Sequence, residues 1–266
     1  MQLLKKLVPA AVLVVSAWGV RAAEPVTFNT PGDWNRPGSF VPTEDGGLRI
    51  AASAKFRARN PIHLDPKKTY RFSLKVRTAP GSQPAGFYML FEPVTEEGRT
   101  ISMHNVTNIK GSEAKLAADT DPASDVVLVT PVNHRYWTAA SGWRLCFDAA
   151  DDLSDLPNFS VSPVFKSVEK LADGNVKVTL RSPVKIAAKA GTPVRIHAGG
   201  AYIYVGVMGK TPDGWTEMSG EVSGIKPGWS NKTFPIGTAM FFPAMLANWG
   251  TKNTAFEIKD VKVEEL

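Results

Sequence analysis

The chain has 266 residues, a formal net charge of +6, one cysteine and 43% hydrophobic residues. A single cysteine excludes an intramolecular disulfide and a cysteine-based metal site, so an apolar core must hold the fold. The basic residues are spread along the chain without a Lys/Arg-rich run, and this distribution gives no reason to predict nucleic-acid binding.

The first 22 residues have the organisation of an export signal. Lys5 and Lys6 precede an apolar run over residues 7–15, and small residues follow at Ala22 and Ala23. The run is shorter than the roughly 20 apolar residues that a membrane-spanning helix needs. We therefore predict cleavage after Ala22, a secreted or periplasmic mature protein and no stable membrane insertion. A buried N-terminal helix is the alternative interpretation.

Alternation of apolar and polar residues dominates the chain after the signal and predicts β-strands. The clearest case is residues 70–76, where Tyr70, Phe72, Leu74 and Val76 share one face. Further alternating strands are predicted at residues 48–52, 143–147 and 176–180, and strands apolar on both faces at residues 87–91, 126–129 and 202–207.

Glycine and proline turns separate these segments and leave little room for helices, apart from one or two turns at residues 112–118. Many short strands with such turns predict an all-β sandwich of the jelly-roll type. We predict that residues 23–266 form one enlarged domain with long loop insertions and a weak boundary at residues 148–163.

Both ends of the chain resemble galactose-binding-like jelly rolls and carbohydrate-binding modules. Residues 28–34 (FNTPGDW) precede a glycine-led strand at residues 46–50 (GGLRI), and residues 256–264 (FEIKDVKVE) are similar to the closing strand of those modules. The resemblance does not extend to residues 95–230. It implies a galactose-binding-like fold and a structural calcium with Asp260 as a candidate ligand.

The last strand also carries a change of phase. Phe256 and Ile258 are out of phase with Val261 and Val263 by one residue, which predicts a β-bulge at residues 259–260. A solvated aspartate at that bulge is the alternative interpretation of Asp260.

Tryptophans in turns are the first candidates for sugar binding, because flat rings stack on the apolar C–H faces of sugars. Trp215 and Trp229 both follow Gly/Pro turns and are candidate ligand-binding residues. Packing beneath a loop is the alternative for each. Trp34 and Trp143 suit core positions.

The segment Asn133–Trp137 is the densest cluster of functional residue types. In an extended conformation Arg135 and Trp137 would share one face and bind a sugar, while His134 and Tyr136 would lie on the other. Histidine and tyrosine near Arg135 are also the groups with which a polysaccharide lyase neutralises a uronate and removes its proton. An edge strand with ordinary polar residues is the remaining interpretation.

Three acids, Asp151, Asp152 and Asp155, offer the oxygen ligands that calcium prefers. Their spacing departs from that of a calcium-binding loop, so capping of a short turn is the alternative. The sequence contains no nucleophile elbow, phosphate loop or close histidine pair, and it nominates no pair of hydrolytic carboxylates.

These observations predict an exported, non-catalytic protein that binds a poly- or oligosaccharide, with calcium as the one expected cofactor. Two alternatives stay open: a lyase or hydrolase acting on acidic glycans, and a surface module for structure or adhesion.

Overall fold

The computed structural model describes residues 24–138, 141–200, 202–248 and 254–266. The predicted export signal over residues 1–22 lies outside these ranges. The described chain is all-β. Its first strands are β1 (Val26–Thr27), β2 (Phe40–Pro42), β3 (Leu48–Ile50), β4 (Ala54–Arg57), β5 (Ile62–His63), β6 (Thr69–Thr78) and β7 (Phe87–Val94).

The middle of the chain contains one helical turn, α1 (Met103–Val106), followed by β8 (Ala114–Leu116), β9 (Val126–Pro131), β10 (Arg144–Phe147), β11 (Val161–Lys170), β12 (Val176–Leu180) and β13 (Pro193–His197). The last strands are β14 (Ile203–Met208), β15 (Thr216–Ser223), β16 (Ile225–Lys226), β17 (Phe234–Pro235), β18 (Met240–Ala247) and β19 (Phe256–Glu265). Short 3-10 helices occupy Pro31–Asp33, Pro37–Ser39 and His134–Tyr136. No helix in the described ranges is both long and apolar enough to cross a membrane.

Two antiparallel sheets share one apolar core. The first sheet has the order β15-β6-β19-β3-β2, with β1 beside β19, and the second has the order β14-β7-β18-β4, with β5 beside β18. The predicted strand at residues 70–76 is confirmed as part of β6, and its four apolar residues are buried in this core. Trp34 is buried there too, stacked on Phe40 at 5.4 Å between ring centres.

A closed barrel occupies the middle of the chain, within residues 95–230, to which the resemblance did not extend. Its strand order is β10-β11-β12-β9-β8-β13, and all six strands lie between β7 and β14 in the chain. The barrel has its own apolar core, which includes Trp137 and Phe165. In the described ranges, the sandwich and the barrel therefore have separate apolar cores.

The short helix predicted at residues 112–118 is wrong, because that segment contains strand β8. Ala114 and Leu116 are buried on one side of β8, which pairs with both β9 and β13. Burial between two neighbouring strands outweighs the modest helix preference of alanine and leucine.

The bulge predicted in the last strand is confirmed. The register of β19 against β6 shifts between Lys259 and Lys262, and Asp260 has a φ of 53°. This extra residue returns Val261 to the same buried side as Ile258. A local irregularity therefore keeps the whole strand in the core.

The two sheets come very close at one edge, where β14 meets β15. An ideal Cβ on Gly220 would lie 1.8 Å from the carbonyl oxygen of Val205, so only glycine fits without movement of the backbone.

We therefore expect Gly220→Ala to lower the free energy of unfolding by about 1–3 kcal/mol, the usual cost of overpacking. Urea unfolding followed by tryptophan fluorescence measures the change. Gly209→Ala is the matched control, since no atom lies within 4 Å of a Cβ built there. Equal stability of the two variants would contradict the close approach of the strands.

Candidate functional site

The outer face of the second sheet carries apolar and aromatic side chains in place of the polar ones expected on a solvated sheet. Alternation along β7 sends Phe87, Met89 and Phe91 into the core, so Tyr88 and Leu90 face outward. This outer face has a buried floor and a half-buried aromatic layer, formed by Leu90, Ala244 and Leu246 beneath Tyr88, Tyr202 and Tyr204. Half-buried aromatic side chains grouped on the outer face of a sheet make this face a candidate binding surface.

The three tyrosines hold one another in place by edge-to-face contacts. The ring of Tyr204 lies 5.9 Å from that of Tyr88 and 6.2 Å from that of Tyr202. Burial, followed by the nearby Tyr202 and Tyr88, raises the pKa of Tyr204. Its hydroxyl therefore stays protonated and can donate as well as accept a hydrogen bond.

A cavity of about 380 Å³ opens beside these tyrosines. Its walls are formed by Met103, Gly200, Tyr202, Tyr204, Trp229, Ser230 and Asn231. The loop between β16 and β17 contributes Trp229 and Asn231, and it is tied to the sheet because the Tyr204 backbone N–H donates to Asn231 Oδ1 at 3.1 Å. The volume is in the range of small-molecule pockets.

A buried ion-pair cluster adjoins the aromatic layer. Glu92, only 2% exposed, is paired with Lys55 and accepts from Arg57 Nη1 at 3.0 Å. Lys55 also lies 5.3 Å from the ring centre of Tyr202. Burial alone would raise the pKa of Glu92, but the hydrogen bonds and charges of Lys55 and Arg57 outweigh it and hold that pKa below its usual range. An ionised carboxylate of this kind is unsuited to donate a proton as a general acid.

Trp215, a predicted ligand-binding residue, lies on the other sheet and is engaged with charged neighbours. The Arg77 guanidinium and the Lys259 ammonium each lie 4.3 Å from its ring centre, and its Nε1 donates to Asp45 at 3.2 Å. Arg77 in turn pairs with the buried Glu257. A sugar would have to displace these cations from the indole, whereas Trp229 already lines a cavity.

The segment 133–137 does not adopt the extended conformation on which its division by face depended. His134–Tyr136 is a 3-10 helix, and Trp137 is 1% exposed in the barrel core. The predicted ligand-binding role of Trp137 is therefore corrected to a core role. Arg135 is exposed, with its guanidinium 5.7 Å from the Tyr136 ring. Neither His134 nor Tyr136 lines the cavity beside Trp229.

The predicted metal ligands are separated and mostly paired within the protein. Asp155 accepts from Arg195 at 2.6 Å, Asp152 accepts from the Ser154 backbone N–H at 3.0 Å, and Asp260 pairs with Lys75 at 2.9 Å. Asp151 is exposed. Across the described ranges, no group of three or more His, Cys, Asp or Glu side chains is arranged to hold a metal ion. The turn around Asp152 fits the capping interpretation.

A buried polar network between α1 and the barrel was missed at the sequence level. Arg195 Nε donates to His197 Nε2 at 2.9 Å, and His197 Nδ1 lies 2.8 Å from the His104 carbonyl oxygen. Since arginine can only donate, Nε2 must accept and Nδ1 must carry the proton. The neutral ring of His197 therefore links Arg195 and Asp155 to α1, next to the cavity residue Met103. Alternation with Val194 and Ile196 in β13 would place Arg195 and His197 on a solvated face. Both are buried in the structure because a distant segment covers that face, and the sequence does not reveal which segment does so.

This network predicts an acid-sensitive fold. Burial lowers the pKa of His197 to about 4 from 6.5, and burial together with Arg144 and His197 lowers that of His104 to about 4. Because the unfolded chain binds protons near pH 6.5 and the folded one does not, the free energy of unfolding should fall as the pH drops from about 6.5 to about 4, by up to about 3 kcal/mol for His197.

Urea unfolding between pH 7.5 and 4.5 measures this slope. His197→Gln retains a donor and an acceptor but cannot titrate, so its slope should be smaller than that of the wild type. His63→Gln, at an exposed histidine, is the control and should keep the wild-type slope. An unchanged slope in His197→Gln would refute the assignment.

Comparison with known proteins gives no family for this chain. No family model, curated protein or solved structure matches it. Function is therefore inferred from the chemistry of the residues themselves.

Proposed function

We propose that this is an exported, non-catalytic carbohydrate-binding protein, with its sugar site in the cavity formed by Tyr202, Tyr204, Trp229 and Asn231. The observation that carries the proposal is the combination of half-buried aromatic rings and polar groups around one open cavity of about 380 Å³. Sugars require this combination, because each ring has apolar C–H faces and a rim of hydroxyls.

In this proposal the aromatic rings stack on the sugar and the polar groups form hydrogen bonds with its hydroxyls. Trp229 and Tyr202 supply flat apolar surfaces on which a sugar ring stacks. The Asn231 side chain has an amide group whose N–H donors are separate from the oxygen used by Tyr204, and these donors suit sugar hydroxyls. The edge-to-face tyrosine contacts restrict the rings before the ligand arrives, which lowers the entropic cost of binding.

Within the same proposal the fold is a galactose-binding-like jelly roll enlarged by the barrel. The two-sheet sandwich and the bulged last strand support this assignment. Calcium is not part of the proposal, since Asp155 and Asp260 are already paired with Arg195 and Lys75. Glycoside hydrolysis needs two carboxyl groups that face the scissile bond, whereas the described lining residues of the cavity include no Asp or Glu, which favours binding.

The test is a glycan array of the protein lacking residues 1–22, followed by calorimetric titration with the best neutral ligand. Tyr202→Ala and Trp229→Ala should each weaken binding by about tenfold, the effect of losing one stacking contact. Trp215→Ala is the matched control, because its ring lies on the other sheet, and it should keep wild-type affinity. EDTA should leave the affinity unchanged.

Two results would overturn the proposal. One is the absence of binding to any glycan on the array by a protein that unfolds cooperatively. The other is a loss of affinity in Trp215→Ala with none in Trp229→Ala, which would move the site to the first sheet.

A further inference from the structure

An open groove on the barrel is lined by cations without any acid. It has a volume of about 670 Å³ and runs between residues 159–164 and residues 181–186. Three of its lining residues, Arg144, Arg181 and Lys185, are cationic, and none is Asp or Glu. This composition distinguishes the groove from the cavity beside Trp229, which has no charged lining residue.

Within the part of the chain that the structure describes, the three cations have no carboxylate partner in a salt bridge. Salt bridges among the described residues involve none of them, although Arg195 on the same barrel pairs with Asp155 and Lys177 pairs with Glu169. Arg144 is only partly exposed, and burial lowers its pKa. A partly desolvated cation without a counter-charge costs free energy that a bound anion recovers.

The walls of the groove are held in place by backbone hydrogen bonds. Arg144 Nη1 donates to the Ser162 carbonyl oxygen at 2.9 Å, and the Arg181 backbone N–H donates to the Val164 carbonyl oxygen at 2.9 Å. Ser162 is itself fully buried, and its Oγ accepts from the Leu145 backbone N–H at 2.8 Å. The Arg144 guanidinium is thus held against the wall of the groove, which reduces the entropic cost of binding an anion, whereas Arg181 is fixed at its backbone.

From this geometry we propose that the barrel groove binds the carboxylate or sulfate groups of an acidic polysaccharide. Guanidinium groups match the planar, two-oxygen geometry of these anions, and Ser160 and Ser182 supply hydroxyls for the intervening sugar units. The aromatic residue of the groove, Phe159, has the Arg99 guanidinium 3.8 Å from its ring centre. Phe159 is the one aromatic residue among the described lining residues, whereas single-stranded nucleic acids are bound by several rings on which successive bases stack, which disfavours that class of polyanion.

The experiment measures binding of the protein lacking residues 1–22 to polygalacturonate, which carries only carboxylates, and to dextran sulfate, which carries only sulfates. Neutral dextran and single-stranded DNA are the comparison ligands. The affinity for at least one acidic polysaccharide is expected to exceed the affinity for both comparison ligands. The acidic polymer that binds more tightly identifies the preferred anion, carboxylate or sulfate. Binding to neither polymer, or DNA binding of equal strength, would overturn the proposal.

Three charge-removing variants locate the site. Arg144→Gln and Arg181→Gln should each weaken binding by about tenfold, the effect of losing one charge-assisted hydrogen bond. Lys177→Gln removes the same charge elsewhere on the barrel and should change the affinity less than twofold. Since Arg181 is exposed, its variant tests the site even if Arg144→Gln does not fold. Equal losses in all three variants would mean diffuse electrostatic attraction and would refute the groove.

This inference and the proposed function fail separately. Trp229→Ala should leave binding to the acidic polymer unchanged, and Arg181→Gln should leave binding to the neutral glycan unchanged. Loss of both activities in Trp229→Ala would show a single shared site and would overturn the separate groove.

Discussion

Aromatic packing between the two sheets is the interaction on which the rest of the structure depends. Phe91 of the second sheet stacks on Phe72 of the first at 5.8 Å, and it contacts Phe241 and Phe234 at 4.7 and 5.8 Å. With one cysteine in the chain, no disulfide can take over this task. Phe234 follows the loop that carries Trp229 and Asn231, so the core also anchors one wall of the candidate sugar site.

The barrel insertion contributes to the same site from the other side. The chain leaves the second sheet after β7 and returns at β14, and these two strands are neighbours in that sheet. Both connections therefore meet beside the tyrosine layer, and each supplies a cavity residue, Met103 and Gly200. The contact between His197 and the His104 carbonyl oxygen joins one of these connections to the barrel.

The cations fall into two classes that the net charge does not separate. Lys55 and Arg57 pair with the buried carboxylate of Glu92, and Arg77 pairs with the buried carboxylate of Glu257. No salt bridge among the residues that the structure describes involves Arg144 or Arg181, and both line the open groove. An arginine is therefore neutralised by a carboxylate in the sheets and remains available to a ligand in the groove, depending on which acids the fold brings near it.

The sequence by itself determined the strand class, the buried face of residues 70–76, the core position of Trp34 and the bulge near Asp260, because two-residue alternation is a local property of the chain. Tertiary structure alone decided that residues 95–200 contain a closed barrel, that Trp137 is buried and that Tyr88, Tyr202 and Tyr204 form one layer. Those outcomes depend on which distant strands pair and what covers each face, and no local pattern encodes a partner that lies about a hundred residues away.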